Sequence, residues 1–270
     1  MKIDVRVKRP GVTIRSPKQM VPARHAAATQ DPKVALGETL RQPRVATDLS
    51  LRVTTLSARQ SGTDKLKAVI VAEVAGLDEP AGALTWGYEV RDGAKVVADG
   101  FDTKEAPAGG SPTREALVST TSLAPGSYVL RFAATDANGR RGSVERPINI
   151  GLQAGSNVTC SDLFIGEAVA GRFKPHVTFA PETRQVVAFV ELYGGTLPNE
   201  VEVEFMLRDA ENVVRTSGRV PAPPGQGDRR VVQAVLRVAE LPVGTYQLSA
   251  QVLIQGRPAA IVRRSIVIGV

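Results

Sequence analysis

The chain has 270 residues, 43% hydrophobic and 4% aromatic, with a formal net charge of +7. That length allows one or two domains with ordinary cores. Residues 1–45 hold ten Lys/Arg against Asp4, Asp31 and Glu38, so the rest of the chain is neutral and carries no nucleic-acid signal.

Cys160 is the single cysteine, which excludes an internal disulfide and a cysteine-built metal site. No apolar run reaches the roughly 18 residues of a membrane-spanning helix. The N-terminus has charge but no apolar core of signal-peptide type. The expectation is either a cytoplasmic protein or a piece of a longer one.

Residues 1–45 read as a basic extension. Ile3, Val5 and Val7 alternate, Pro10-Gly11 can turn, and Val12 and Ile14 alternate again, which predicts a β-hairpin. Arg6, Lys8, Arg9 and Arg15 make it a candidate arm for an anionic polymer or nucleic acid, a reading weaker than a solvated strand face. Residues 16–29 form a small-residue linker. Asp31-Pro32 then opens a short helix with Asp at the N-cap and Pro at the first helical position. Val34, Leu36 and Leu40 form its apolar stripe, and Pro43 ends it.

The rest is a repeat. Leu123–Ile150 (LAPGSYVLRFAATDANGRRGSVERPINI) recurs from Leu241 as LPVGTYQLSAQVLIQGRPAAIVRRSIVI, an offset of 118 residues. Lys67–Val74 matches Gln185–Leu192 at the same offset, and Arg91–Val97 matches Arg208–Val214 at 117. A period this long implies two whole domains rather than small repeating units.

Alternating strands are predicted around 49–53 and at 65–75, 84–91, 95–101, 114–120, 127–136 and 142–150. A second set falls at 176–180, 184–193, 200–208, 212–218, 229–237, 245–254 and 260–268. The fold class is therefore all-β, two tandem immunoglobulin/fibronectin-like antiparallel β-sandwiches at 46–152 and 176–270. Between them, 153–175 is a junction segment in which Leu163, Phe164 and Ile165 pack near the interdomain border and limit flexing.

Trp86 and Tyr88 lie two apart in LTWGYEV, on one strand face. A core stack is favoured over a ligand platform. A carbohydrate or surface-polymer site on a sandwich face needs exposed aromatics, with Trp86, Tyr88, Phe101, Tyr193 and Phe205 as candidates. Asp136-Ala-Asn138-Gly139 lacks the alternate carboxylates of a calcium loop and fits a hairpin turn. His25 and His176 are the only histidines; neither belongs to a zinc pair or a nucleophile frame. No catalytic residue, cofactor or metal is expected, and the chain reads as non-enzymatic.

Taken together, Lys2–Ser16, Val34–Val53 and the Ser161–Gly166 phrase SDLFIG resemble the C-terminal region of bacterial von Willebrand factor A-related domain proteins. These are predicted exported proteins, common in soil bacteria such as acidobacteria. The resemblance implies an extracytoplasmic setting and a partner that is another protein or an upstream von Willebrand-type domain, and the lack of a long apolar run implies no membrane insertion. That domain's DxSxS metal motif does not carry over: Asp48-Leu-Ser50-Leu-Arg52 ends in arginine and opens a strand. The expected role is a structural spacer or protein-interaction module.

Overall fold

The computed structural model describes residues 31–42, 44–77, 82–105, 114–195, 197–225 and 227–269. The predicted hairpin, Arg6, Lys8, Arg9, Arg15 and His25 lie outside the described residues. The described residues open with helix α1 (Pro32–Arg41), where the Asp31 side chain accepts from the Lys33 amide at 2.9 Å. Leu36 and Leu40 are buried as expected, but Val34 is 51% exposed. Ala35 and Thr39 take its place on the packed side.

Among the described residues, seven strands follow: β1 (Ser50–Arg59), β2 (Leu66–Ala75), β3 (Leu84–Asp92), β4 (Lys95–Lys104), β5 (Arg114–Leu123), β6 (Gly126–Thr135) and β7 (Arg141–Ile150). They form two antiparallel sheets, β1-β2-β5 and β4-β3-β6-β7. The side chains between them make one core, including Ile70, Trp86, Tyr88, Leu117 and Phe132. Facing sheets that interdigitate in this way are a β-sandwich.

Residues 153–175 are not a free connector. They supply β8 (Gln153–Ala154), β9 (Thr159–Cys160), β10 (Phe164–Val169) and β11 (Arg172–Pro175). The chain continues through β12 (Thr178–Phe179), β13 (Gln185–Tyr193), β14 (Val201–Arg208), β15 (Val214–Pro221), β16 (Arg229–Arg237), β17 (Gly244–Ile254) and β18 (Arg257–Ile268). Strand β13 pairs with β10, β9 and β16, while the facing sheet runs β12-β18-β17-β14-β15. A second, separate core lies between these sheets, including Ile165, Phe179, Val190, Phe205 and Leu248.

The two sandwiches share one plan. By pairing pattern, β10, β13, β14, β15, β16, β17 and β18 occupy the places of β1 to β7. Even the irregularities repeat: the register shifts between Val90 and Arg91, and between Leu207 and Arg208, 117 residues on. The recurring turn phrase has a physical cause. Tyr128 donates to the Ala124 carbonyl at 2.9 Å, and Tyr246 to the Pro242 carbonyl at 2.7 Å. This is the tyrosine corner of sandwich folds, which fixes the entry into a central strand.

The outer faces differ. In the first sandwich, α1 lies on β3 and β6, with Leu36 and Leu40 against Ala133. A Cβ at Gly87 would sit 2.9 Å from Leu36 Cδ2 and 2.8 Å from the Gly100 carbonyl, so only glycine admits the helix. Ten helical residues are marginal alone, and this groove stabilises them. The corresponding positions of the second sandwich are Glu204 and Gln251, and Glu204 pairs with Arg219 at 3.6 Å.

Tyr246 is 4% exposed, and its hydroxyl is the corner's only link to the turn carbonyl. Tyr246→Phe is expected to cost about 1–2 kcal/mol, read as a lower urea midpoint for the second sandwich with unchanged far-UV circular dichroism.

Candidate functional site at the sandwich junction

Strand β2 is buried on both sides. Ala68, Ile70, Ala72 and Val74 enter the first core, while Val69 and Val71 face the junction. Leu56 and Ala58 of β1 complete that patch, packed with Phe164, Phe173, Val177 and Phe189 of the second sandwich. Phe164 stacks on Phe189 with centroids 4.7 Å apart, and Phe173 meets Phe189 edge-on at 4.9 Å. The outer face of β1-β2 thus meets the outer face of β10-β13.

Three polar ties surround this apolar patch. At one end, the buried Glu73 carboxylate (3% exposed) accepts from the Val177 amide at 2.7 Å, the Thr178 amide at 2.9 Å and the Thr178 hydroxyl. Arg114 Nη1 donates to the same Thr178 hydroxyl at 2.5 Å. The burial of Glu73 opposes ionisation, but the neighbouring His176 ring and the donors from Thr178 and Val177 outweigh it and hold the carboxyl below its usual 4.5.

In the middle, the SDLFIG phrase acts as a staple. The Ser161 hydroxyl accepts from the Glu191 amide at 2.9 Å. The Asp162 amide donates to the Ser57 carbonyl at 2.9 Å, and the Ser57 amide donates to the Asp162 carboxylate at 2.7 Å. Burial pushes the Asp162 carboxyl up, against the Ser57 donors and the Arg264 charge. Gly166 is required here, because a Cβ would lie 2.0 Å from the Lys174 carbonyl across the β10–β11 hairpin.

Arg264 of β18 supports the staple from inside. It donates to the Leu163 carbonyl at 3.3 Å and the His176 carbonyl at 3.4 Å. Burial lowers it to about 10, so it remains a cation at neutral pH. The break in alternation at Arg263-Arg264 therefore places a cation on the inner face beside the junction.

At the far end, the Arg59 guanidinium lies 4.4 Å above the Tyr193 ring and pairs with Asp228. The Arg59 amide donates to the Tyr193 hydroxyl at 2.8 Å, which donates to Glu191 at 2.6 Å. Arg229 Nε donates to the same Glu191 carboxylate at 2.8 Å. Burial and the Glu191 charge raise the Tyr193 phenol well above its usual value, so it stays a neutral donor.

The candidate aromatics stand apart from any surface site. Trp86 and Tyr88 are each 5% exposed within the first core, and Trp86 Nε1 donates to the Ser119 hydroxyl at 3.3 Å. Tyr193 is buried in the junction, and Phe205 lies in the second core. Phe101 keeps an exposed ring but is covered in part by the Lys33 ammonium at 4.5 Å. These burials weaken the carbohydrate reading, leaving Phe101 as the one candidate aromatic with an exposed ring. Asp136 organises its own turn instead of a cation, accepting from the Asn138 and Arg140 amides and from Arg140 Nε. Cys160 is fully buried, and burial pushes its thiol up to about 11.

Beside the Glu73 end, a groove of about 540 Å³ opens between the sandwiches, lined by Gly76, Arg114, Glu167, His176, Phe179 and Glu182 among others. His176 Nδ1 lies 3.7 Å from Glu73, and its Nε2 lies 3.7 Å from Glu167. Among the described residues, no three His, Cys, Asp or Glu side chains form a ready-made metal cluster.

No protein-family model matches the sequence, and no curated protein matches it. Among solved structures, the chain is similar to red sea bream transglutaminase, with a TM-score of 0.27 and 10% identity over 83% of this chain. The match spans 32% of the transglutaminase. The chain is also similar to the C-terminal domain of the Streptococcus pyogenes antigen I/II-family protein AspA. There the TM-score is 0.26 and the identity 9%, over 82% of this chain and 99% of that one. Likeness at this level carries no chemistry across.

The junction has a pH signature with a definite sign. Because the folded Glu73 carboxyl is held below 4.5, its stabilisation is complete above 4.5 and is lost as pH falls through the lower folded value. Asp162 has the opposite sign, with its share present below 3.8 and lost as pH rises through its elevated value. Amide exchange at Val177 and Thr178, corrected for intrinsic rates, is expected to quicken on acidification while both cores stay protected. In Glu73→Gln that acid response should vanish. Phe164→Ala, at a 6% exposed site, is expected to cost about 3–5 kcal/mol, measured by urea denaturation.

Proposed function

We propose that this chain is a non-enzymatic structural module in which two sandwiches act as one rigid spacer that presents sheet edges to a protein partner. The observation that carries this reading is Glu73: a buried carboxylate of one sandwich draws its amide and hydroxyl donors from the other. A buried charge left without donors is costly, so separating the sandwiches is opposed by more than the apolar patch. Interfaces within a chain ordinarily permit relative motion; the polar ties and the phenylalanine cluster oppose it here.

Strands β4 and β15 occupy equivalent sheet ends, each paired on one side only, with exposed valines at Val96, Val97 and Val214. Such edges recruit partners by strand addition. The resemblance to von Willebrand factor A-related proteins supports an extracytoplasmic parent protein, with an upstream von Willebrand-type domain or another protein as neighbour. No helix among the described residues is long and apolar enough to cross a membrane.

Backbone nitrogen-15 relaxation on the full chain tests the spacer reading. Both sandwiches are expected to share one rotational correlation time, unchanged between low and high salt. Two distinct correlation times in the unmodified protein would rule out a rigid spacer.

A further inference from the structure

His176 presents a chemical mismatch. Its ring is fixed between two carboxylates, Glu73 on the Nδ1 side and Glu167 on the Nε2 side, each 3.7 Å away. Nε2 is buried and has no hydrogen-bond partner. A buried ring nitrogen left without a partner is costly, and a cation held between it and the Glu167 carboxylate would satisfy both.

We propose that His176 Nε2 and Glu167 form a binding site for a divalent transition-metal ion of the zinc class, open to the groove between the sandwiches. An imidazole lone pair beside a carboxylate selects such ions over magnesium or calcium, which prefer oxygen ligands. The spacing fits. With metal–ligand distances of about 2.0–2.1 Å, atoms 3.7 Å apart subtend roughly 130° at the metal, and closing by about 0.4 Å gives the tetrahedral angle.

The surroundings have the outer-shell pattern that metal-binding histidines use, in which the second ring nitrogen faces a carboxylate. Glu73 supplies that carboxylate, itself anchored by the Val177 and Thr178 amides. Glu167 is steadied through Oε1, which accepts from the Thr183 hydroxyl at 3.3 Å, leaving Oε2 for the ion. Two protein ligands leave the remaining positions to water, and Glu182 lines the same groove. Glu73 belongs to the first sandwich and both ligands to the second, so the bound ion would reinforce the junction. The site stands independently of the spacer reading.

Calorimetric titration of the full chain with zinc chloride tests the proposal, using His176→Gln, Glu167→Gln and His25→Gln. One site is expected in the unmodified protein, weakened at least tenfold by His176→Gln and by Glu167→Gln and unchanged by His25→Gln. Zinc should also slow amide exchange at Val177 and Thr178. If His176→Gln does not fold, judged by circular dichroism, Glu167→Gln alone decides, because that side chain is 36% exposed. No uptake by the unmodified chain would overturn the site, as would equal uptake by Glu167→Gln or loss of uptake in His25→Gln.

Discussion

A carboxylate removed from water must find donors where it lands, and among the described residues Glu73 finds them across the junction. That requirement couples two units that each have a complete core of their own. The apolar patch of Leu56, Val69, Val71, Phe164 and Phe189 sets how closely the faces approach. The Glu73 contacts set their register, because amide donors at Val177 and Thr178 fit the carboxylate in one placement. The equivalent residue of the second sandwich, Glu191, is used differently. There the donors are Arg229 and Tyr193 of the same sandwich, and the link to the first runs through the Arg59 amide and the Tyr193 hydroxyl.

Most of the fold was legible because its signals are local. Period-two alternation, Gly and Asn turns and the 118-residue repeat locate the main strands, and Asp31-Pro32 marks the helix start. The burial of Trp86 and Tyr88 in the first core follows from the same alternation. The junction was less legible because it depends on which outer faces meet, and no local period encodes that. A trace of it is still present. AVIVAEV and VVAFVEL run nearly unbroken in apolar residues where a one-sided strand would alternate, and each carries a single glutamate. A strand apolar on both faces is covered on both faces, and a lone charge within it needs a distant partner. Val34 shows the converse limit: helical spacing puts it near the stripe, but the narrow groove cut by Gly87 and Ala133 admits only Leu36 and Leu40.

The two sandwiches differ chiefly on the faces away from the junction. Gly87 and Ala133 remove side-chain volume so that α1 can settle, whereas Glu204 and Gln251 fill the same positions with solvated groups. Small changes of residue size at two sites thus decide whether a sheet accepts a helix. The core pattern between the sheets, and the tyrosine corners at Tyr128 and Tyr246, remained common to both.

The junction joins corresponding faces, β1-β2 of one sandwich against β10-β13 of the other. A contact between like surfaces is self-complementary and closes on itself, as in a twofold dimer. A contact between unlike surfaces would leave one copy of each free and could be extended indefinitely. Here both copies are consumed in the pairing, so the arrangement is complete at two. A longer array built from this repeat would have to grow in pairs, with a different surface joining one pair to the next.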